Sequence, residues 1–296
     1  MKNISRKEFL RNASLLAGVS MLPDFSFATR SAPSKMKLGL VTYQWGKDWD
    51  VPTLIKNCAA SKILGVELRV EHAHKVMPDL SAAQRKEVKK RFAESPVKIV
   101  GLGTNQQYDF PDQAKLRESI DMTKEFIKLS ADVGGTGVKV KPNGFHKDVP
   151  REKTIEQIGR SLNEIAKYAA DYGQQIRLEV HGNVTQELPN IKAIMDVSDH
   201  PNSTVCWNCN KEDLIGEGLV HNFNLVKGRF GDTVHVRELD DAEYPYQELM
   251  NLFVGMNYDG WILLECRTDP ADKVKALVEQ RQIFQQMVAN AQKKAK

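Results

Sequence analysis

An α/β chain folded as a single (β/α)8 TIM barrel is what this sequence predicts, on three observations. From Lys37 onward, short runs rich in β-branched and aliphatic residues alternate with longer runs whose apolar residues recur every three or four positions. No Pro-, Gly- or Ser-rich linker interrupts that alternation, and 296 residues are enough to close one core of barrel size. The competing open, doubly wound sheet is weakened in its dinucleotide-binding form, because no G-x-G-x-x-G follows the first strand.

The expected strands, in order, are Lys37–Tyr43, Gly65–Glu71, Lys98–Thr104, Gly137–Lys141, Gln175–His181, Thr204–Asn208, Thr233–Arg237 and Gly260–Glu265. Ser81–Ser95 reads as a charged amphipathic helix, and Lys115–Val133 and Thr154–Tyr172 carry the helical apolar spacing clearly. Leu188–Val197, Leu214–Val226, Tyr246–Met256 and Ala271–Ala289 are the later helical stretches. Gly134, Gly135, Gly173 and Gly231 fall at element ends, where a left-handed backbone is useful. Pro111, Pro150, Pro189, Pro245 and Pro270 stand near helix starts, where proline costs no hydrogen bond. The barrel is expected over residues 35–292.

The first 30 residues read differently. Ser5-Arg6-Lys7-Glu8-Phe9-Leu10-Arg11 is a basic start, an apolar run follows from Ala13 to Leu22, and Ser26-Phe27-Ala28 offers a small-residue cleavage site. The run is too short for a permanent membrane span. Residues 1–30 are therefore expected to be an export signal, cleaved near Ala28, that delivers the protein to the periplasm. The basic motif resembles a twin-arginine signal with Lys7 in place of the second arginine, and the general secretory route stays open.

Formal charge is +4, of which Lys2, Arg6, Lys7, Arg11 and Arg30 against Glu8 and Asp24 supply +3. The remainder is close to neutral, so nothing calls for nucleic acid or an anionic membrane as partner. Cys206-x-x-Cys209 has no second pair at zinc-site spacing, and Cys206 falls in an expected strand. The expectation is small buried side chains, with a disulfide left open.

Side chains alternate faces along a strand. In Leu178-Glu179-Val180, Val205-Cys206-Trp207-Asn208, Val234-His235-Val236 and Ile262-Leu263-Leu264-Glu265 the apolar partners share one face. Glu179, Asn208, His235 and Glu265 share the other. In a barrel, four neighbouring strands about 4.8 Å apart converge such groups at the C-terminal mouth. Two carboxylates, an imidazole and a carboxamide suit a divalent cation. The same parity turns Lys141, His181, Asn210, Arg237 and Arg267 inward, with Lys141, His181 and Arg237 expected to touch substrate. Glu67, Arg69, Lys139 and Arg177 are expected to form an internal ion-pair network. Tyr43, Trp45 and Tyr108 are expected as an aromatic wall or as packing under loops, and His72 and His74 as loop residues near the mouth.

These segments, in their order and spacing over residues 37–290, resemble the xylose isomerase-like barrel family of sugar isomerases and epimerases. The resemblance implies a metal held by Glu179, the Asn208 position, His235 and Glu265. Manganese is the first choice, with zinc, magnesium or cobalt as alternatives. It also implies that Glu179 and Glu265 act as acid-base groups in proton transfer next to a carbonyl, through an enediolate. Asn208 stands where the family has Asp, so the shell lacks one negative charge. The expected substrate is a free sugar or glycoside. A lyase or hydratase acting on keto-sugars or oxidised glycosides through the same enediolate is the alternative, and a non-catalytic sugar-binding or partner subunit is the other. The related barrel nucleases use many more His and acidic ligands than this chain offers. The sequence leaves monomer and homo-oligomer both open.

Overall fold

The computed structural model describes residues 33–295, so the export-signal reading of 1–30 lies outside the described residues. Eight parallel strands form the wall: β1 (Lys37–Val41), β2 (Gly65–Arg69), β3 (Lys98–Gln107), β4 (Gly137–Lys141), β5 (Gln175–Glu179), β6 (Ser203–Cys206), β7 (Thr233–Val236) and β8 (Trp261–Leu264). Their order is β6-β5-β4-β3-β2-β1-β8-β7. Between β6 and β7 the ring is drawn together by bridges at Val205–Phe230 and Asn208–His235, with His235 N–H donating to the Trp207 carbonyl at 2.7 Å. The architecture is a single (β/α)8 TIM barrel.

The outer ring comprises α1 (Val51–Ser61), α2 (Ala82–Ala93), α3 (Gln113–Val133), α4 (Arg151–Ala170), α5 (Leu188–Val197), α6 (Gly218–Val226), α7 (Tyr246–Gly255) and α8 (Lys273–Lys294). Several starts are fixed by side-chain caps. Asp50, Asp112 and Asp272 accept main-chain N–H groups, and Ser81 with Gln84 forms a reciprocal capping box. Helix α1 has no counterpart among the stretches read from sequence. Its start in Trp49-Asp50-Val51-Pro52 resembles a turn, but Asp50 caps the Thr53 N–H and Val51, Leu54 and Cys58 turn into the core at helical spacing. The stretch expected over Leu214–Val226 divides into a 3-10 turn (Lys211–Leu214) and α6. Gly216 between them and Gly218 at the first position of α6 take φ of 67° and 82°, which breaks the helical backbone there.

Burial confirms the two sides of the wall. Leu178, Val205, Val234, Ile262 and Leu264 join the large core between wall and helices. Inside the barrel a small apolar plug of Val41, Val100 and Leu263 forms a separate cluster, with Tyr43 and Trp261 packed against it. Polar layers share the interior. Arg177, fully buried, donates to the Val100 carbonyl at 2.7 Å and the Thr136 hydroxyl at 2.8 Å, and reaches Asp232 at 3.4 Å. β3 supplies glycine where these side chains cross: a methyl on Gly101 would meet the Arg177 guanidinium at 2.9 Å, and one on Gly103 the Glu67 carboxylate at 2.7 Å.

Candidate active site at the barrel mouth

Strands β5 to β8 end sooner than their sequence patterns. Glu179 is the last residue of β5 and His235 lies inside β7, whereas Asn208, Glu265, His181 and Arg237 lie just past strand ends. Glu179, His235 and Glu265 come together there, each offering one ligand atom, all within 4.8 Å of one another. His235 Nδ1 stands 3.4 Å from Glu179 Oε1 and 3.7 Å from Glu265 Oε2. Asn208 joins them by donating its amide to Glu179 Oε1 at 3.1 Å.

Two further buried groups organise this cluster. Glu67 Oε1 lies 3.1 Å from His235 Nε2 and orients the ring from below. Lys139 Nζ donates to Glu179 Oε2 at 2.8 Å and to the Thr104 carbonyl at 3.1 Å, with both partners of the ion pair essentially inaccessible. The members of the expected ion-pair network are therefore inside the barrel but pair elsewhere. Lys139 takes Glu179, Glu67 takes His235, Arg177 takes Asp232, and Arg69 rises to the mouth. Inward parity was readable for each; the partner was not, since Glu67 and His235 are 168 residues apart.

Burial alone pushes the Glu179 carboxyl up in pKa, but the Lys139 charge and His235 hold it well below the usual carboxylate range. It is therefore ionised. Burial opposes protonation of His235, yet the net effect of its surroundings, including the Glu67 carboxylate and Glu179, raises its pKa well above the usual value. Burial lowers the pKa of His181, and the cations Lys141 and Lys139 add to this. Lys141 is pushed down to about 8 by burial and by Lys139.

Tyr43, Arg69, Lys141, Glu179, His181, Asn208, Glu265 and Arg267 line a cavity of about 110 Å³ at this mouth. A larger groove of about 640 Å³ lies at the opposite end, around Lys37, Leu38 and Trp261 at the strand starts. Its size does not make it the reaction site, because none of the converging carboxylates or the imidazole reaches it. Arg237 does not line the mouth cavity. It is half-buried beside α7, its main-chain N–H donating to the Tyr246 hydroxyl. Asn210 turns its amide to the Val180 and Asn208 carbonyls and shapes the loop. Of the three aromatics, Tyr43 reaches the cavity. Trp45 is buried and donates to the Thr268 carbonyl, and Tyr108 is buried with its hydroxyl on Thr123. His74 is held by the Arg69 carbonyl and the Val76 N–H, and burial lowers its pKa to about 4. All four cysteines are free and buried, so Cys206 and Cys209 are not bridged.

The cluster fits a divalent cation in one specific respect. With Nε2 directed to Glu67, the buried His235 Nδ1 has no hydrogen-bond partner and faces two carboxylate oxygens. A lone pair opposite two anionic oxygens needs a proton or a cation between them. The carboxylate–imidazole–site arrangement is the usual second partner of a metal-ligating histidine. Asn208 would offer its amide oxygen after a half-turn of the amide, giving up its hydrogen bond to Glu179.

The fold and this mouth define a parallel barrel with a metal-competent polar centre at its C-terminal end. The chain belongs to the xylose isomerase-like TIM barrel family, whose model matches residues 55–287. No curated protein matches it by sequence. Among solved structures it is similar to an L-ribulose 3-epimerase, with a TM-score of 0.75 and 14% identity over 88% of this chain and 97% of that one. It is also similar to the 3-keto-D-glucoside 4-epimerase of E. coli, with a TM-score of 0.72 and 14% identity over 85% of this chain and 100% of the other. A third similar structure is IolI, solved with a zinc atom, with a TM-score of 0.69 and 13% identity over 88% of this chain and 99% of that one. At these identities the similarity establishes the fold.

Proposed function

We propose that this chain is a metal-dependent isomerase or epimerase of keto-sugars, working by proton transfer at a carbon next to a carbonyl. The observation that carries the reading is the convergence of Glu179, Glu265 and the unpartnered His235 Nδ1 at the mouth of a barrel of this family. Structures similar in fold include epimerases of such sugars. Glu179, Asn208, His235 and Glu265 would hold the ion, with manganese preferred. When bound, a divalent ion supplies Lewis-acid charge that favours the enediolate over the parent ketone.

Glu179 is ionised and fixed by Lys139 and Asn208, so it is placed to accept a proton from the substrate carbon. Glu265, on the neighbouring side of His235 and partly open to the cavity, is placed to return one. Lys141 and His181 line the same cavity and are positioned to bind substrate hydroxyls. Arg237 contributes to the loop beside α7 in this reading. The enzyme is proposed to work in the periplasm after removal of residues 1–30, on free sugars or glycosides. Among the described residues no helix is long and apolar enough to cross a membrane.

Elimination from the same enediolate is a second reading. Lys141 favours it, because an ammonium at the cavity edge could protonate a departing oxygen. The deciding experiment is solvent-deuterium exchange with manganese-loaded protein across ketoses and 3-keto-glycosides. Wild type is expected to exchange the proton next to the carbonyl, and Glu179→Gln to lose exchange. Equal, negligible metal uptake by wild type and Glu179→Gln would overturn the reading.

A further inference from the structure

Three cationic side chains stand at the mouth, more than the chemistry just derived uses: it gives Lys141 a substrate contact, and Arg69 and Arg267 none. Arg69, Lys141 and Arg267 line the 110 Å³ cavity, and none of them forms an ion pair with a carboxylate among the described residues. Arg69 instead lies over the Tyr43 ring, its guanidinium carbon 5.8 Å from the ring centroid, and Lys141 donates only to the Asn105 amide oxygen at 3.3 Å.

The cavity carboxylates do not balance these charges. Glu179 is already neutralised by Lys139 from below, which leaves Glu265 alone against three cations. A divalent ion on Glu179 and Glu265 would use both carboxylates and leave the cations wholly unmatched. A neutral sugar offers nothing to three like charges around so small a space, whereas one anionic group relieves their mutual repulsion.

The cations are also held in place. The Arg69 N–H is fixed by the Thr42 hydroxyl at 2.8 Å. The loop carrying Arg267 is clamped by Glu238, which accepts the N–H groups of Arg267 and Thr268, and by Trp45 donating to the Thr268 carbonyl. Guanidinium groups on a fixed frame match a carboxylate with paired hydrogen bonds.

We propose that the substrate is a sugar acid, a keto-sugar whose carboxylate is bound by Arg69, Lys141 and Arg267 while its carbonyl faces Glu179 and Glu265. This rests on the isomerase or epimerase reading and names the substrate class for it. A carboxylate suits the site better than a phosphate. In barrels of this kind, phosphates commonly sit at a helix N-terminus near strands seven and eight. Here the N-terminus of α8 is already capped by the Asp272 carboxylate. The cavity is also smaller than the roughly 300 Å³ at which typical ligand pockets begin, which suits a planar monoanion at the end of a short chain.

The test pairs a binding assay that needs no turnover with an exchange assay. Calorimetry of full-length protein compares D-gluconate, D-sorbitol and sorbitol 6-phosphate. Gluconate is expected to bind about tenfold or more tighter than sorbitol, the effect of one charge-assisted contact, and Arg267→Gln to shrink that ratio. Arg267 is exposed, so the variant should fold, and an unchanged melting curve checks it. A gluconate-to-sorbitol ratio near one, a ratio unmoved by Arg267→Gln, or tighter binding of the phosphate would each overturn the assignment. Deuterium exchange on D-fructuronate and D-fructose separates the two readings. Exchange on neither, with the gluconate preference intact, removes the isomerase reading and leaves the anion site standing. Exchange on fructose without any gluconate preference does the reverse.

Discussion

Asn208→Asp tests the charge logic of the site with an almost isosteric change. Asn208 Nδ2 lies 3.1 Å from Glu179 Oε1, with both residues buried. A carboxylate there would repel Glu179 by about 5 kcal/mol at an effective dielectric of about 20. The protein can escape by keeping the new carboxyl protonated. Lifting an ordinary Asp pKa near 4 to about 7 costs about 4 kcal/mol at 1.36 kcal/mol per unit, and this caps the penalty. Without metal the variant should therefore lose about 4 kcal/mol, or roughly 10 °C in Tm for a domain of this size. A divalent ion removes the repulsion, so manganese should recover most of that loss. Relative to wild type, the variant should bind manganese about a thousandfold more tightly. The assay is thermal unfolding in chelator and in manganese, with calorimetric titration of the metal. Equal Tm values in chelator, or equal stabilisation of both proteins by manganese, would refute the reasoning.

Lys139→Met removes one partner of a buried ion pair and should cost about 3–5 kcal/mol in metal-free protein, by denaturant unfolding. Manganese should restore part of it, since the ion takes over neutralising Glu179. His235 has a raised pKa and must lose its proton to use Nδ1, so manganese affinity should rise with pH until that pKa is passed. Titrations in buffers of different ionisation enthalpy should show net proton release. Asp213, accepting from Tyr244 and the Asn210 N–H, is pushed up to about 7, first by burial. The folded state thus holds its proton more tightly than the unfolded chain. Its stabilising effect is complete below about pH 4 and is lost as pH rises to about 7. Asp213→Asn should flatten Tm across that window and raise it relative to wild type at pH 8. Gly103→Ala should push Glu67 away from His235, seen as a shifted His235 imidazole resonance and weaker manganese binding.

Much of the site was legible before any coordinates. The two-residue period along β5 to β8 placed Glu179, His235 and Glu265 inside, because a strand's pleat dictates facing regardless of its neighbours. The same period extended past the true strand ends, since an alternating sequence continues into a loop where ladder pairing has stopped. Past those ends parity no longer decides placement: His181, Asn208 and Glu265 still line the cavity, whereas Arg237 comes to rest beside α7. Helix α1 was missed although Val51, Leu54 and Cys58 fall at helical spacing, because it is only 11 residues long and Trp49-Asp50-Val51-Pro52 at its start resembles a turn.

By itself the sequence determined the barrel, its faces and the mouth at which polar groups gather, since these follow from local periodicity and the order of elements. Only the tertiary structure decided which charge meets which. Lys139 neutralises Glu179, Glu67 orients His235, and Arg69, Lys141 and Arg267 are left unmatched around the cavity. Coulomb energies depend on separations of a few ångströms between residues that lie far apart in the chain. No pattern along one strand carries that distance.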